Sequence, residues 1–271
     1  MQNKIELIGK NVLITGASQG IGARIAEAMA ACGANVLINY ITDKKRTVAF
    51  AKRLSDQYKV LCKACHADVN ASDQVDAMFD YMDEQLGSID ILVNNAGIET
   101  INDSLDMPLQ EWDHIMNINL RGAFYCSQLA GRRMRDKRNG VILNISSIHD
   151  KVARKGLVHY CSSKAALNML TKCMALELAE FNIRVLAISP GAIETDMNAR
   201  EIDQFGRERF NNWIPIGKVG KVDDVAWMCA FLASDKAAYM TATEIYVDGG
   251  YKESTIQYDP RNQELYEYKA D

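Results

Sequence analysis

The sequence of 271 residues predicts an α/β fold, a single domain with a seven-stranded parallel sheet that is doubly wound, with helices on both faces. Two observations lead to this fold class. Short apolar runs alternate along the chain with longer segments of helical periodicity, and only four prolines interrupt them. Strands that alternate with helices form βαβ crossovers, which keep the strands parallel and place helices on both faces of the sheet.

Seven apolar runs have the length and the flanking turn residues of strands. They are NVLITG (11–16), NVLINY (35–40), VLCKACHADV (60–69), IDILVNNAG (89–97), GVILNISS (140–147), IRVLAISPG (183–191) and EIYVDGG (244–250). Helical periodicity covers residues 21–32, 73–86, 111–138, 161–181 and 222–234. The alternation is uninterrupted by a low-complexity linker, so we expect residues 1–251 to form one catalytic domain. Residues 252–271 are expected to be a tail, either part of this domain or flexible.

Composition excludes several classes of function. A net charge of −4 gives no general attraction to nucleic acid, and the basic run GRRMRDKRNG (131–140) lies where cations complement the end of a long helix. No apolar run is long enough to cross a bilayer, and MQNKIELIGK has no apolar signal core. We therefore expect a cytoplasmic protein without nucleic-acid or membrane partners.

Seven scattered cysteines suit a reducing compartment. Cys62 and Cys65 have CxxC spacing, but their segment is predicted to be a strand, where positions three apart face opposite sides. Neither His149 nor His159 has zinc-ligand spacing with another histidine. The sequence therefore predicts no metal site.

The residues that follow each strand are the candidate site, because ligands of doubly wound sheets bind beyond the carboxyl ends of the strands. After the first strand comes TGASQGIG, where Gly16, Gly20 and Gly22 open a helix. Bare backbone at such a turn can approach a pyrophosphate, and the helix N-terminus supplies unpaired N–H groups. Taken alone, the glycines could equally serve tight packing of the helix on the strand.

Several motifs together resemble the short-chain dehydrogenase/reductase superfamily. They are TGASQGIG, NNAG, NINL, Ser147 thirteen residues before Tyr160, YCSSK and PG, in the family's order and at its separations from about residue 8 to 250. Within the superfamily, SSIHDKV, LVHY, LDMPLQEWDHIMNINLRGAF and IPIGKVG look most like the bacterial glucose 1-dehydrogenase group. The resemblance implies a Rossmann domain, a nicotinamide cofactor, a homotetramer and the interconversion of an alcohol and a carbonyl.

Four residues are the predicted catalytic set: Asn119, Ser147, Tyr160 and Lys164. Tyr160 and Lys164 share one face of a helix, and a nearby ammonium is expected to lower the pKa of the tyrosine toward the range of an effective acid/base. Ser147 can hydrogen-bond the substrate oxygen as charge develops. By resemblance, Lys164 also holds the nicotinamide ribose, and Asn119 helps maintain the water path that reprotonates Tyr160.

The resemblance implies further contacts with the cofactor. Asp68 and Val69 would lie by the adenine, Asn95, Ala96 and Gly97 along the cofactor, and the segment from Pro190 to Thr195 at the nicotinamide amide. The predicted cofactor-binding residues are Gly16, Ser18, Gln19, Gly20, Ile21, Gly22, Asn39, Tyr40, Asp68, Val69, Asn95, Ala96, Gly97, Tyr160, Lys164, Pro190, Gly191, Ile193 and Thr195.

The end of the second strand predicts which nicotinamide is used. An NAD enzyme of this fold places an acid about 20 residues after the first glycine, where it binds the ribose and repels a 2′-phosphate. Asn39 and Tyr40 stand there instead, and Lys44, Lys45 and Arg46 follow Asp43. Two features would favour NAD instead: Gln19 stands where many NADP enzymes of the family have an arginine, and Asp43 could fold back toward the ribose. We expect NADP to be preferred, or both cofactors to work.

The substrate is expected to be chosen by the loop 196–217, which should close over it, and by the residues after Gly97 and Ser147, with His149 as a candidate contact. A sugar is the first expectation, and a hydroxysteroid or a 3-oxoacyl thioester is the alternative. A cofactor-sensing protein without turnover is the rival of another class, but it would not need the acid/base set.

Overall fold

The computed structural model describes residues 5–195, 202–204 and 206–254. Most of the expected substrate-covering loop is therefore described, but residues 196–201 and 205 are not. Of the predicted tail, only residues 252–254 belong to the described part, and residues 255–271 lie outside it.

The seven predicted strands form one parallel sheet. They are β1 (Asn11–Ile14), β2 (Asn35–Tyr40), β3 (Cys62–His66), β4 (Ile91–Asn94), β5 (Gly140–Ile145), β6 (Ile183–Pro190) and β7 (Glu244–Val247). Their order in the sheet is β3-β2-β1-β4-β5-β6-β7. The chain winds outward in one direction from β1 to β3 and then crosses back to place β4 on the other side of β1. This crossing opens a crevice at the carboxyl ends of β1 and β4.

Eight α-helices have both ends within the described residues. They are α1 (Gly20–Ala31), α2 (Lys44–Tyr58), α3 (Ser72–Gln85), α4 (Leu109–Met116), α5 (Ala123–Lys137), α6 (Val158–Leu178), α7 (Arg207–Asn212) and α8 (Val222–Ala233). The helix predicted over residues 111–138 is present as α4 and α5, which a π-helical turn, Asn117–Gly122, joins without a break in the helical backbone.

Helix α2 was not among the predicted helices. Its sequence, KKRTVAFAKRLSDQY, is mostly polar, and only Thr47, Ala51 and Leu54 are buried. These three residues form a stripe too narrow to stand out as an apolar pattern. A local signal does mark its start, because the Asp43 carboxylate accepts a hydrogen bond from the Arg46 N–H at 3.0 Å and so caps the helix.

Helices cover both faces of the sheet, as predicted. On one face α1, α2 and α8 pack against Val12 and Ile14 of β1. On the other face α3, α5 and α6 pack against Leu13 of the same strand. Neighbouring residues of a strand point to opposite faces, so each of the central strands contributes to both cores.

A buried polar network crosses from the sheet to the second layer of helices. Asn94 Nδ2 donates to Asn144 Oδ1 and to Ser127 Oγ, each at 2.8 Å, and Asn144 Nδ2 donates to Thr171 Oγ1 at 2.8 Å. The network joins β4 and β5 to α5 and α6. It fixes how α6, which carries Tyr160 and Lys164, sits against β5, which leads into Ser147.

The two cysteines with CxxC spacing lie on β3, as predicted. Cys62 is buried and Cys65 is half-buried, and all seven cysteines are free thiols. Burial raises the pKa of Cys65 to about 11, the opposite of what a reactive thiolate needs. No helix in the described part of the chain is both long and apolar enough to cross a membrane.

Candidate active site

A cavity of about 640 Å³ opens at the carboxyl ends of the strands. It is lined by nearly all of the site residues predicted from the sequence. Those that line it are Gly16, Ser18, Gln19, Gly20, Ile21, Gly22, Asn39, Asp68, Val69, Asn95, Ala96, Gly97, Ser147, Tyr160, Lys164, Pro190, Gly191, Ile193 and Thr195. Within the described ranges, no group of three or more histidine, cysteine, aspartate or glutamate side chains is placed to hold a metal ion.

Tyr40 was predicted to contact the cofactor, but it does not line this cavity. Its side chain is 4% exposed, and its ring packs edge-on against His66 with the ring centroids 5.5 Å apart. Ile41 and Thr42, the next two residues, line the cavity instead. The loop after β2 therefore reaches the cavity one residue later than the strand-end argument placed it.

The glycine turn after β1 brings backbone to the cavity wall. Gly16 has φ +61°, and a Cβ there would lie 2.9 Å from Ala96 Cα. A Cβ on Gly22 would lie 2.7 Å from the Gly16 carbonyl oxygen. Both positions exclude larger residues, and α1 begins inside the turn. The unpaired N–H groups of its first turn are suited to hold a pyrophosphate.

Asn39 is a structural residue of the site. Its Oδ1 accepts from Gly16 N–H at 3.0 Å, and its Nδ2 donates to the Ala67 carbonyl at 2.9 Å. The side chain is 2% exposed. The amide thus ties the glycine turn to the end of β3, and its hydrogen-bonding groups are already engaged within the protein. Asn39 was predicted to bind the cofactor, but its Nδ2 group, bonded to Ala67, is not placed to donate to a 2′-phosphate.

Ser147, Tyr160 and Lys164 converge on the cavity. Tyr160 and Lys164 lie one turn apart on α6, with Lys164 Nζ 5.6 Å from the centroid of the Tyr160 ring. The ammonium donates to the Ile145 carbonyl, the last of β5, at 2.9 Å. The Tyr160 hydroxyl is hydrogen-bonded to Ser147. Each of the three side chains is more than 90% buried.

The pKa of Tyr160 does not move in the expected direction. Burial raises it, the negative charge of Glu99 raises it further, and the hydrogen bond with Ser147 lowers it only in part. Burial also lowers the pKa of Lys164 to about 8, against the opposing effect of Glu99. Desolvation favours the neutral form of both groups and outweighs the attraction expected between phenolate and ammonium. Tyr160 therefore keeps its proton at neutral pH in the protein alone.

Asn119 lies behind the cavity wall rather than on it. The π-helical turn buries its amide, whose Oδ1 accepts from the Ile98 N–H and whose Nδ2 donates to the Ile98 carbonyl, both at 2.9 Å. Nδ2 also donates to Ser163 Oγ at 3.2 Å, and Ser163 donates to the Tyr160 carbonyl at 2.7 Å. Asn119 thus links the loop after β4 to the helix that carries Tyr160.

Beside the predicted residues, the cavity lining includes a group of polar side chains and a group of aromatic ones. Glu99, His149 and Arg154 provide the polar part. The aromatic part, which we call the aromatic wall, consists of Phe210, Trp213 and Tyr251. The Phe210 ring lies 5.4 Å from Trp213 and 6.4 Å from Tyr251, centroid to centroid.

The sequence placed the substrate-choosing residues after Gly97 and Ser147 and in the loop 196–217. Glu99, His149, Arg154, Phe210 and Trp213 fall in or just after those segments. Tyr251 was missed, because it follows β7 at the boundary of the predicted tail. The rule that ligands bind beyond the carboxyl ends of the strands, applied to β7 as to the other strands, would have predicted it.

His159 takes no part in the cavity. It is fully buried, its Nε2 lies 2.8 Å from Thr100 Oγ1, and Glu111 is 3.5 Å away. It connects α6 to α4 and to the loop after β4. Its neighbour along the sequence, Tyr160, faces the cavity because adjacent residues of a helix point in different directions.

Comparison with known proteins identifies the family. A family model described as enoyl-(acyl carrier protein) reductase matches residues 16–252. The chain is 40% identical over 247 residues to 3beta-hydroxysteroid dehydrogenase 1 of Eggerthella lenta, covering 90% of this chain and 94% of the relative. It is 41% identical over 241 residues to a 3-oxoacyl-(acyl-carrier-protein) reductase of Staphylococcus aureus, covering 89% and 97%.

Solved structures agree with this result. A putative gluconate dehydrogenase of Agrobacterium tumefaciens superposes with a TM-score of 0.88 at 33% identity, covering 93% of this chain and 99% of the other. A gluconate 5-dehydrogenase of Burkholderia cenocepacia, solved with NADP and tartrate, superposes with a TM-score of 0.87 at 32% identity, covering 93% and 98%. The chain belongs to the short-chain dehydrogenase/reductase superfamily and is an NAD(P)-dependent oxidoreductase with a Rossmann fold.

Proposed function

We propose that this enzyme interconverts a secondary or hemiacetal alcohol and its carbonyl compound, and that the alcohol is a sugar or a sugar acid. The observation that carries the proposal is the mixed polar and aromatic lining of the cavity. Glu99, His149 and Arg154 are suited to bind several hydroxyl groups or a carboxylate, and the aromatic wall is suited to pack against the C–H face of a sugar ring. Two structural neighbours are named for gluconate.

A hydroxysteroid is the second candidate. The aromatic wall also suits a flat apolar ring system, which would leave the polar side chains to contact only its ends. The relative from Eggerthella lenta is named for such a substrate. A 3-oxoacyl thioester, for which the Staphylococcus aureus relative is named, is the remaining alternative.

The contacts of the buried groups support the following roles. In the reductive direction Tyr160 donates its phenolic proton to the carbonyl oxygen of the substrate, and Ser147 stabilises the charge that develops there. The cofactor, when bound, supplies or accepts the hydride. Lys164 and the glycine turn are suited to hold it, and Asn119 keeps the loop after β4 fixed to α6. In the oxidative direction Tyr160 must first lose its proton, so oxidation should become faster as the pH rises.

A substrate panel tests the proposed function. We expect oxidation of at least one aldose or aldonate with kcat/KM at least about tenfold above that for 3β-hydroxysteroids, because hydroxyl contacts that a site is built for discriminate strongly. The panel should contain sugars, sugar acids, hydroxysteroids and 3-oxoacyl thioesters, each assayed with NAD and NADP by the absorbance of the reduced nicotinamide. Turnover of steroids or thioesters alone would contradict the choice of substrate and leave the reaction class intact.

The acid/base role of Tyr160 is tested by Tyr160→Phe. We expect kcat to fall by about 10² to 10⁴, the usual contribution of a positioned acid/base, because the substitution removes the proton and keeps the ring. Cofactor affinity, measured by fluorescence titration, should stay within about twofold, because the lost hydroxyl group contacts the substrate. Tyr239→Phe, at a fully exposed tyrosine, is the matched control. A folded Tyr160→Phe enzyme that kept more than about a tenth of the turnover would refute the mechanism.

We further propose that NADP is preferred, or that both cofactors are used. No carboxylate among the described residues stands at the end of β2, since Asn39 occupies that position and Asp43 is engaged as the cap of α2. Lys44, Lys45 and Arg46 occupy the first turn of α2, which contains no acidic residue. Cations oppose the helix dipole at that end, so helix stability does not explain their position. They are suited to attract the 2′-phosphate of NADP.

Neutralising these cations tests the preference. In the triple variant Lys44→Gln, Lys45→Gln and Arg46→Gln, the affinity for NADP should fall at least about tenfold, because the loss of even one charge-assisted contact has an effect of this size. The affinity for NAD should change little. Lys52→Gln, about two turns further along the same helix, is the control. Both affinities can be measured by calorimetry. Equal losses for NAD and NADP, or a wild-type enzyme that binds NAD at least about ten times more tightly, would overturn the proposal.

Asn39→Asp should damage the site rather than switch the cofactor. The introduced oxygen would face the carbonyl groups of Ala67 and Cys65, to which Asn39 Nδ2 now donates. We expect a loss of about 1–3 kcal/mol in the free energy of unfolding, because a buried carbonyl group loses its donor, and weaker binding of both cofactors. Urea denaturation gives the first quantity. An unchanged stability with a gain in NAD affinity would show instead that the amide acts mainly in cofactor choice.

We also propose that residues 1–251 form a single catalytic domain, since β1 to β7 form one sheet with helices packed on both faces. Assembly into a homotetramer and a cytoplasmic location stay predictions from the sequence.

A further inference from the structure

Two carboxyl groups meet behind the turn that carries Ser147. Asp150 ends the short 3₁₀ turn Ile148–Asp150, which begins directly after Ser147. Glu244 is the first residue of β7, at the edge of the sheet. Their carboxyl groups are hydrogen-bonded to each other. The proposed mechanism uses neither residue.

Neighbouring elements supply donors to this pair. From β7 the Tyr246 hydroxyl donates to both carboxyl oxygens of Asp150 at 3.2 Å. From α6, one turn after Lys164, Asn168 Nδ2 donates to Asp150. From β6 Ser189 Oγ donates to Glu244 Oε1 at 2.5 Å. The pair therefore connects the Ser147 turn to two strands and to the helix of Tyr160.

A direct hydrogen bond between two carboxyl groups requires that one of them is protonated. Burial and the neighbouring Glu244 raise the pKa of Asp150 to about 7. Burial would also raise the pKa of Glu244, but hydrogen bonds from Asp150, Ser189, Asn168 and Tyr246 outweigh it and lower the value. These opposite shifts favour the proton on Asp150, from where it can be donated to Glu244.

The charged and titratable groups around the pair do not remove the need for this proton. Lys151, on the same turn, and Lys252, after β7, act on Asp150 from a distance. Lys252 Nζ lies 4.5 Å from the centroid of the Tyr246 ring and contacts Glu253. The pKa of Tyr246 is raised, by burial first and then by the two acids, so the hydroxyl stays a donor. The groups from α6 and β6, Asn168 and Ser189, are uncharged.

Asp150 is coupled to the catalytic turn through the backbone. Its N–H donates to the Ser147 carbonyl at 3.1 Å, and the N–H of His149 donates to Ser147 Oγ at 3.2 Å. A displacement of Asp150 therefore shifts the carbonyl and the hydroxyl group of Ser147 together. Since Ser147 is hydrogen-bonded to Tyr160, the shift would reach the proton donor.

We propose that Asp150 and Glu244 share one proton and that the singly protonated pair positions the turn bearing Ser147 and His149. Both acids are positioning residues, because they act through the turn. Loss of the shared proton leaves two adjacent carboxylates, which repel each other and loosen the turn from β7. The raised pKa of Asp150 sets the direction: the turn is held below about pH 7 and is released as the pH rises through that value.

Infrared difference spectroscopy on the whole protein tests the shared proton without reference to activity. The wild-type protein should show a carboxylic acid band that is lost as the pH rises through about 7. Asp150→Asn should lack the band. In Glu244→Gln the band should be lost at least about one pH unit lower, because the neighbouring negative charge is gone. A spectrum without a band that Asp150→Asn removes would overturn the proposal.

The pH profile of kcat tests the positioning role. The amide introduced by Glu244→Gln can still donate to an ionised Asp150, so the turn should stay held at alkaline pH. We expect the decrease in reductive kcat between about pH 7 and pH 9 to be at least about threefold smaller in this variant than in wild type. Glu180→Gln, at an exposed glutamate, is the control and should follow wild type.

Superimposable profiles for Glu244→Gln and wild type would refute the positioning role even if the infrared band is present. The positioning of Ser147 rests on the proposed mechanism, whereas the shared proton seen by infrared spectroscopy does not. Loss of activity in Tyr160→Phe with an unchanged infrared titration would show that the shared proton exists independently of that mechanism. Circular dichroism and the urea midpoint verify that each variant is folded.

Discussion

Unpaired backbone groups at the carboxyl edge of the parallel sheet set the main constraint on this structure. The ladder between strands satisfies some backbone groups at this edge and leaves others to find partners elsewhere, and a buried group without a partner is costly. Three asparagine side chains meet this need. Asn39 accepts from the Gly16 N–H and donates to the Ala67 carbonyl. Asn95 donates to the carbonyls of Thr15 and Gly16. Asn119 accepts from the N–H of Ile98 and donates to its carbonyl. The cavity is open because side-chain amides, rather than further strands, complete its rim.

Burial then decides the chemistry of the groups at this rim. Tyr160 and Lys164 are removed from water by the same packing that holds α6 against β5. Their ammonium–phenol arrangement suggests an ion pair, yet desolvation shifts both toward the neutral state. The negative charge of Glu99 raises the pKa of Tyr160 further and partly offsets the fall in the pKa of Lys164. The free protein is therefore set to donate a proton, and positive charge brought by a ligand is what would favour release of that proton.

The fold and much of the site could be predicted because both depend on local patterns. The alternating apolar runs predicted the sheet, and the residues after the strands predicted most of the cavity lining. Helix α2 was not predicted, because only Thr47, Ala51 and Leu54 of this helix are buried. The engagement of Asn39 could not be read from the sequence, since its partners lie 23 and 28 residues away. Nor could the pKa of Tyr160, because burial depends on all the elements packed around it.

The aromatic wall shows the same limit in another form, because Phe210 and Tyr251 lie on separate elements and meet only in the folded chain. Residue type alone does not predict such a surface, since aromatic side chains occur in cores as well as in binding sites.

The π-helical turn between α4 and α5 makes the length of this segment as important as its composition. Such a turn holds one residue more than an α-helical turn, which offsets the faces of the helices on either side by about 100°. The offset lets α4 contact α6 while α5 packs beneath the sheet, and it buries Asn119 against Ile98. Deleting one residue here would restore a regular helix and turn either Asn119 or the apolar stripe of α5 away from its partner. Insertions and deletions, more than substitutions, should therefore be excluded from this stretch during evolution.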